Sequence, residues 1–386
     1  MEQLVTSNFK LGIIAGGQLG KMLALAASNW SINTYILDPD EQCPAASCAT
    51  KFFKGDYLNF DDVYNFGKKV DMLTFEIENI NIEALKKLKA EGLKIYPDPE
   101  VLEIIKDKGL QKAFYKKENI PSAPFNLYNS KEEILEGIKK CEIKFPFVQK
   151  LRTGGYDGRG IAIIKNETDL KNLLQGESVI EEVISFKKEI SIIAARNQKG
   201  EVKCFPAVEM EFNIHENIVE KLICPASINE LKSLEATELA TKIASSLNFI
   251  GLLAVEMFID NNDKIWVNEA APRPHNSGHH TIESTLTSQY EQLLRAIFNF
   301  PLGSTSLKMP SIMINLLGED GFEGKAKYIG LAEALKIEGV KIHLYGKKTT
   351  KPYRKMGHVT ILGKTIEEAI KNAELVQKIL KVESYL

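Results

Sequence analysis

Apolar and polar positions along the first hundred residues switch between two periods. "KLGIIAGG" is a short apolar run ending in glycines, "QLGKMLALAASNW" carries apolar residues at helical spacing, and "INTYILD" is again a compact apolar run. "DDVYNFGKKV", "MLTFEIE", "IEALKKLKAEG" and "KIYPD" continue the order helix, strand, helix, strand. This succession predicts a parallel sheet with helices on its faces. "YPDPE" reads as a linker, followed by one lysine-rich helix from Val101 to about Glu118.

After "IPSAPF" the pattern changes. "FPFVQK", "GIAIIKN", "SVIEEVI", "EISIIAARN" and "VKCFPAVEM" are short β-rich runs joined by tight turns, which predicts an antiparallel α+β region. A long helical pattern, "INELKSLEATELATKIASSLN", leads to two further strands, "GLLAVEMFID" and "KIWVNEA". From about Pro310 a small mixed segment follows and closes on the helix "TIEEAIKNAELVQKIL".

Composition narrows the classes. The chain has 386 residues, 44% of them hydrophobic and 26% charged, with material for two or three domains. A formal charge of −2 gives no global attraction to nucleic acid or membrane, so anion binding must come from local clusters. Cys43, Cys48, Cys141, Cys204 and Cys224 are scattered and form no CxxC pair, which points to reduced thiols in a cytoplasmic protein. The N-terminus lacks a signal-peptide pattern, and no apolar run reaches the ~18 residues of a membrane span.

Four stretches carry candidate chemistry. In "AGGQLG", Ala15 to Gly20, glycines stand where a strand turns into a helix, a place where backbone amides can meet a phosphate. With Asp38 closing the next strand, this turn alone would suit an NAD-dependent Rossmann dehydrogenase. "KLRTGGYDGRG", Lys150 to Gly160, lies between strands and does not lead into a helix; it suits a lid whose amides and cations converge on a polyphosphate. "AVEMFI" and "WVNEA" each set an acid, Glu256 and Glu269, in an otherwise apolar strand, which is costly unless the acid is paired or binds metal. Adjacent antiparallel strands would bring these carboxylates together as Mg²⁺ ligands. "NEAAPRPHNSGHH", Asn268 to His280, crowds three of the six histidines around two prolines, so no helix presents His275 and His279 to a zinc ion.

Together these motifs resemble the ATP-grasp superfamily and, within it, the 5-(carboxyamino)imidazole ribonucleotide synthase family of purine synthesis. "AGGQLGKM", "TFEIENI", "RTGGYDGRG", "EEVISFKKEIS", "APRPHNSGH", "TSQYEQLLRA" and "RKMGHV" carry the likeness from the first strand to near the C-terminus. The resemblance implies an ATP-grasp fold, α/β and α+β, with an N-terminal Rossmann-like parallel-sheet domain over residues 1–107. A small subdomain with the lid would follow over 108–180, and a large subdomain over 181–386. It implies ATP contacts at Lys108, Lys150, Gly155, Tyr156, Asp157, Gly158, Arg159, Gly160, Glu189, His215, Asn268 and Glu269. Glu181, Glu182, Val183 and Ile184 would form the hinge at the adenine edge, and Glu256 and Glu269 would hold Mg²⁺. Gln18, Leu19, Glu76, Tyr156, Asp157, Lys347 and Arg354 would surround the ribonucleotide, and Arg273, His275 and Lys347 would handle bicarbonate.

The activity so implied is ATP-dependent carboxylation of 5-aminoimidazole ribonucleotide by bicarbonate through carboxyphosphate, in a cytoplasmic homodimer. A formate-using purine transformylase of the same fold is the near alternative. Ala15 and Tyr353 stand where that family has glycine, and Lys108 and Lys351 where it has arginine. Glu76 and Glu78, two apart, are expected on one strand face, with one acid binding substrate and the other structural. His279, His280, His343 and His358 are expected to serve packing or to support neighbours, and Lys348 and Lys355 to be bystanders.

Overall fold

A computed structural model describes residues 6–155, 160–212 and 219–385. Its first sheet holds five parallel strands, β1 (Lys10–Ile14), β2 (Asn33–Asp38), β3 (Lys51–Lys54), β4 (Met72–Phe75) and β5 (Lys94–Ile95), in the order 3-2-1-4-5. β1 and β4 are buried along almost their whole length, because helices cover both faces of a parallel sheet. The apolar runs of the sequence are therefore continuous here, not alternating.

The predicted single helix after Tyr96 is two helices, Pro99–Lys106 and Lys108–Lys117. Asp107 separates them in an extended conformation, and its carboxylate caps the second helix at the amides of Gly109 and Leu110. Nothing in the lysine-rich run breaks the helical pattern there; the cap does.

A four-stranded antiparallel sheet follows: β6 (Phe125–Tyr128), β7 (Phe147–Leu151), β8 (Ile161–Ile164) and β9 (Ser178–Glu182), ordered 6-9-7-8. Its own small core contains Ile134, Phe147, Ile164 and Ile180. Tyr115, on the helix before it, is buried instead with the large sheet's residues Ile190, Val255 and Val267. That helix thus belongs with the large unit, and the boundary expected at residue 180 falls inside β9.

The large antiparallel sheet runs through β10 (Phe186–Arg196), β11 (Val202–Cys204), β12 (Val208–Phe212), β13 (Val219–Cys224), β14 (Gly251–Asp260), β15 (Ile265–Ala271) and β16 (Ser311–Leu317). It extends through β20 (Lys355–Leu362) and β18 (Val340–Leu344), while β17 (Gly324–Ile329), β19 (Thr349–Thr350) and β21 (Lys381–Ser384) make a separate small sheet. One hydrophobic core joins the first sheet to the large one: Leu11, Ile13 and Leu23 lie with Ile193, Leu252, Tyr290 and Leu293. Helix Ile366–Ile379 packs Ala369, Ala373 and Val376 onto Ile312, Ile314 and Val359. Among the described residues, no helix is long and apolar enough to cross a membrane.

Candidate active site

β14 and β15 are antiparallel neighbours, and their register sets Glu256 directly opposite Glu269. The two acids that stood out in apolar strands are thus brought together as the sequence suggested. Burial and the nearby Glu269 push Glu256 upward, whereas the ammonium of Lys108 holds Glu269 below the usual carboxylate range. Lys108 forms an ion pair with Glu269 from the first turn of its helix. Lys150 on β7 donates to Asn268 Oδ1 at 2.8 Å, so the small sheet reaches across to the middle of β15. Glu189, on β10 beside β14, is pushed up to about 9 by burial and by the negative charge of Glu256 and Glu269.

Two carboxylates and an amide oxygen fit Mg²⁺, an octahedral cation that keeps waters and takes substrate phosphates as ligands. They do not make a closed cage. Among the described residues there is no cluster of three or more His, Cys, Asp or Glu able to hold a metal alone.

Glu181 is buried and lies between two lysines, Lys112 Nζ at 3.1 Å and Lys150 Nζ at 3.0 Å. Burial would raise its carboxyl, but the two ammonium groups outweigh that and lower it. Burial pulls Lys112 down to about 8. Glu181 was expected at the adenine edge; its side chain instead neutralises the two cations, which leaves its backbone and the exposed Glu182 and Val183 and half-buried Ile184 along the hinge. Lys112 did not figure among the candidates. Its signal was the four-residue spacing from Lys108 in "KGLQK", which puts both lysines on one helix face. Arg152, at the root of the lid, is held by Asp107 at 2.6 Å and Glu177 at 3.2 Å. The lid contacts expected at Tyr156, Asp157, Gly158 and Arg159, and the contact expected at His215, lie outside the described residues. Gly155 and Gly160 flank that lid, Gly160 at a positive φ of 81°.

The second half of the site sits at the C-terminal ends of β1 and β4. β4 ends at Phe75, so Glu76 and Glu78 lie just beyond the strand and do not share a strand face as expected. Glu76 is buried and accepts from the backbone N–H of Gly17 and of Gly20, at the N-terminal end of helix Gln18–Ser28. Burial raises it to about 7, opposed by those amides and by Arg273. Glu78 instead takes Arg273 Nε at 2.8 Å. Asp38 accepts from Gly16 N–H and Asp40 N–H, both at 2.8 Å. With Glu76 at the helix end and Asp38 bound to its own turn, the dinucleotide reading loses both its pyrophosphate site and its ribose acid.

A cleft of about 180 Å³ lies between this turn and the C-terminal basic run, lined by Gly17, Asp38, Gln42, Lys347, Lys348 and Arg354 among others. Gln18 and Leu19 open the helix beside it. Lys347 donates to the carbonyl of Lys355 at 2.7 Å, and Arg354 to Thr349 O and Oγ1 at 2.8 and 2.9 Å, so the β18–β20 hairpin shapes both cations. Lys348, set aside as a bystander, lines the same cleft. The two departures from glycine, Ala15 and Tyr353, adopt φ of 70° and 62°, the left-handed region where a Cβ is disfavoured.

Arg273 and His275 stand on the segment after β15 that links the two halves. His275 Nε2 is 3.5 Å from Glu256 Oε1. Three further histidines form an internal stack: His343 lies on His358 at 4.4 Å between ring centroids, and His358 on His279 at 4.6 Å. Burial holds His279 and His358 well below the usual histidine range, and His280 at about 4, so these rings are neutral packing groups. His343 Nε2 meets Glu283 at 2.7 Å and His358 Nδ1 meets Tyr345 Oη at 3.1 Å.

Models of three protein families match this chain. A ribonucleotide synthetase preATP-grasp domain matches residues 9–106, an ATP-grasp domain 113–290, and a phosphoribosylaminoimidazole carboxylase C-terminal domain 311–372. The N5-carboxyaminoimidazole ribonucleotide synthase of Bacillus subtilis is 35% identical over 374 residues, covering 96% of this chain and 95% of that protein. The crystal structure of the N5-carboxyaminoimidazole ribonucleotide synthetase of Thermotoga maritima superposes with a TM-score of 0.89 at 45% identity, covering 98% of this chain and 100% of the other. The N5-carboxyaminoimidazole synthase of Aspergillus clavatus, in complex with ADP and 5-aminoimidazole ribonucleotide, gives a TM-score of 0.86 at 31% identity, covering 97% and 100%.

Proposed function

Since the chain belongs to the N5-carboxyaminoimidazole ribonucleotide synthase family of ATP-grasp enzymes, we propose that the opposed carboxylates of Glu256 and Glu269 mark where its ATP reacts. The chain is an ATP-dependent ligase of purine biosynthesis that carboxylates 5-aminoimidazole ribonucleotide. The observation that carries the residue assignments is the register of Glu256 against Glu269, with Lys108 and Lys150 beside them.

Phosphoryl transfer needs positioning and charge neutralisation more than covalent help. Glu256, Glu269 and Asn268 would hold Mg²⁺, which would supply charge neutralisation to the ATP phosphates. Lys108 and Lys150 offset the remaining phosphate charge, the hinge Glu181, Glu182, Val183 and Ile184 follows the adenine edge, and Glu189 meets the ribose. A bicarbonate oxygen attacks the γ-phosphorus, the bond to the β-phosphate oxygen breaks, and ADP leaves. The carboxyphosphate so formed is an activated acyl donor. The exocyclic amine of the ribonucleotide then bonds to its carbon, phosphate departs with the electron pair, and the amine gives up a proton.

Arg273, His275 and Lys347 hold the bicarbonate and its phosphorylated form, while Gln18, Leu19, Glu76, Lys347 and Arg354 seat the ribonucleotide. Closing the lid over this chamber excludes water from a hydrolysable intermediate. A homodimer is the assembly this reading carries, to be checked by sedimentation. ADP release measured with 5-aminoimidazole ribonucleotide, with and without bicarbonate, tests the chemistry. Turnover should require both, and indifference to the ribonucleotide would sink the assignment.

A further inference from the structure

The hydrogen bonds behind His275 run in one direction. Ser277 N–H donates to His275 Nδ1 at 3.3 Å, and the Ser277 hydroxyl lies 2.8 Å from the same nitrogen. The backbone N–H can only donate, so Nδ1 is an acceptor and the ring proton resides on Nε2. Ser277 Oγ then donates its proton to Nδ1 and accepts from Ser191 Oγ at 2.9 Å. Ser191 sits on β10 in register with Glu256, which fixes this relay to the strand bearing the acid that His275 Nε2 faces.

The backbone of His275 is clamped as firmly. Gln289 Oε1 accepts from His275 N–H at 2.9 Å, and Gln289 Nε2 donates to His275 O at 2.9 Å. Gln289 is fully buried and Ser277 is 2% exposed, so neither reaches a ligand itself. A Cβ at Gly278 would come within 2.6 Å of Gln289 Oε1, which leaves the clamp no room to shift.

We propose that Ser277 and Gln289 are positioning residues that hold His275 in its Nε2–H tautomer, so that the loop presents a hydrogen-bond donor to the carboxyl group being transferred. A donor at Nε2 suits an acceptor-rich anion such as bicarbonate; the other tautomer would turn a lone pair toward it. The kinetic part rests on the bicarbonate reading given above, whereas the tautomer rests on the hydrogen bonds alone.

Nitrogen-15 chemical shifts of histidine in the labelled full-length protein, at about pH 8.5 where an ordinary imidazole is neutral, test the tautomer without any substrate. The parent should show His275 protonated at Nε2, assigned by loss of its signals in His275→Gln. Ser277→Ala removes the hydroxyl at 2.8 Å but keeps the longer backbone donor at 3.3 Å, so it should shift the tautomer balance part of the way toward Nδ1–H and lower kcat about 5- to 10-fold, the worth of roughly one hydrogen bond, with the KM for ATP unchanged. Ser277→Thr, which keeps the hydroxyl, should restore the shifts. Gln289→Met should raise the KM for bicarbonate in preference to that for ATP. A parent ring protonated at Nδ1, or shifts that ignore Ser277→Ala, would overturn the proposal. The stated tautomer in a protein that fails to turn over 5-aminoimidazole ribonucleotide would support the positioning and defeat the functional reading instead.

Discussion

Replacing Glu181 by glutamine takes one negative charge from between two buried ammonium groups, with Lys112 and Lys150 at 3.1 and 3.0 Å. Each contact has a gross Coulomb attraction of about 5 kcal/mol at an effective dielectric constant near 20, most of it offset by desolvation. Measured losses on removing one partner of a buried pair are about 3–5 kcal/mol, and we expect Glu181→Gln to fall in that range near neutral pH.

The dependence on pH has a definite sign. Lys112 titrates at about 8 in the folded chain, below its unfolded value, so stability rises as pH climbs from about 8 toward the ordinary lysine range. Without Glu181 that folded value drops further and the rise begins earlier, so the deficit narrows as pH approaches 8. Urea unfolding followed by circular dichroism, between about pH 6 and 9, reads this directly. Adding Lys112→Met to Glu181→Gln should recover much of the loss by removing one of the stranded cations. A Glu181→Gln protein as stable as its parent, or a double variant no better than the single one, would refute the reasoning.

Glu269→Ala should cost roughly 10²-fold or more in rate, seen as kcat at saturating ATP, and a loss below threefold would contradict its role. Lys347→Ala should slow carboxylation and leave ATP affinity nearly intact; calorimetric titration with ATP in Mg²⁺ buffer separates the two, and an equal loss of ATP affinity counts against the assignment. His358→Ala removes the middle ring of the buried stack and should cost about 2–5 kcal/mol, read from the urea midpoint. Ala15→Gly relieves a left-handed alanine and should gain about 0.5–1 kcal/mol in the same measurement.

Features governed by local period were readable in the sequence. The acids at Glu256 and Glu269 declared themselves because each interrupts an apolar strand, and antiparallel pairing of consecutive strands did the rest. Gln18 and Leu19 were placed by the glycine turn before their helix. What escaped was decided by contacts between distant segments. The resemblance implied a bicarbonate role for Arg273, and only the fold shows Glu78 beside it. Lys112 was not singled out from its lysine-rich helix, because only the fold lays Glu181 of β9 against it. Asp107 split a helix because its carboxylate had a cap to make and Arg152 to hold. The histidines were expected to pack, but which rings would meet was not legible, because His279, His343 and His358 come from three separate elements.

The core shared by the first sheet and the large sheet has a mechanical meaning. Parting them would return Leu11, Ile13, Ile193, Leu252 and Leu293 to water, at about 1.5–3 kcal/mol for each side chain. The two therefore move as one frame. The four-stranded sheet has a core of its own and can tilt without breaking that frame. The cleft beside the glycine turn is lined by Gly17 and Asp38 of that frame and by Lys347 and Arg354 between β18 and β20. The proposed nucleotide site spans the two, with Lys150 on the small sheet meeting Asn268 on the frame. Hydrogen exchange should therefore find the small sheet opening as a unit at lower free energy than the frame.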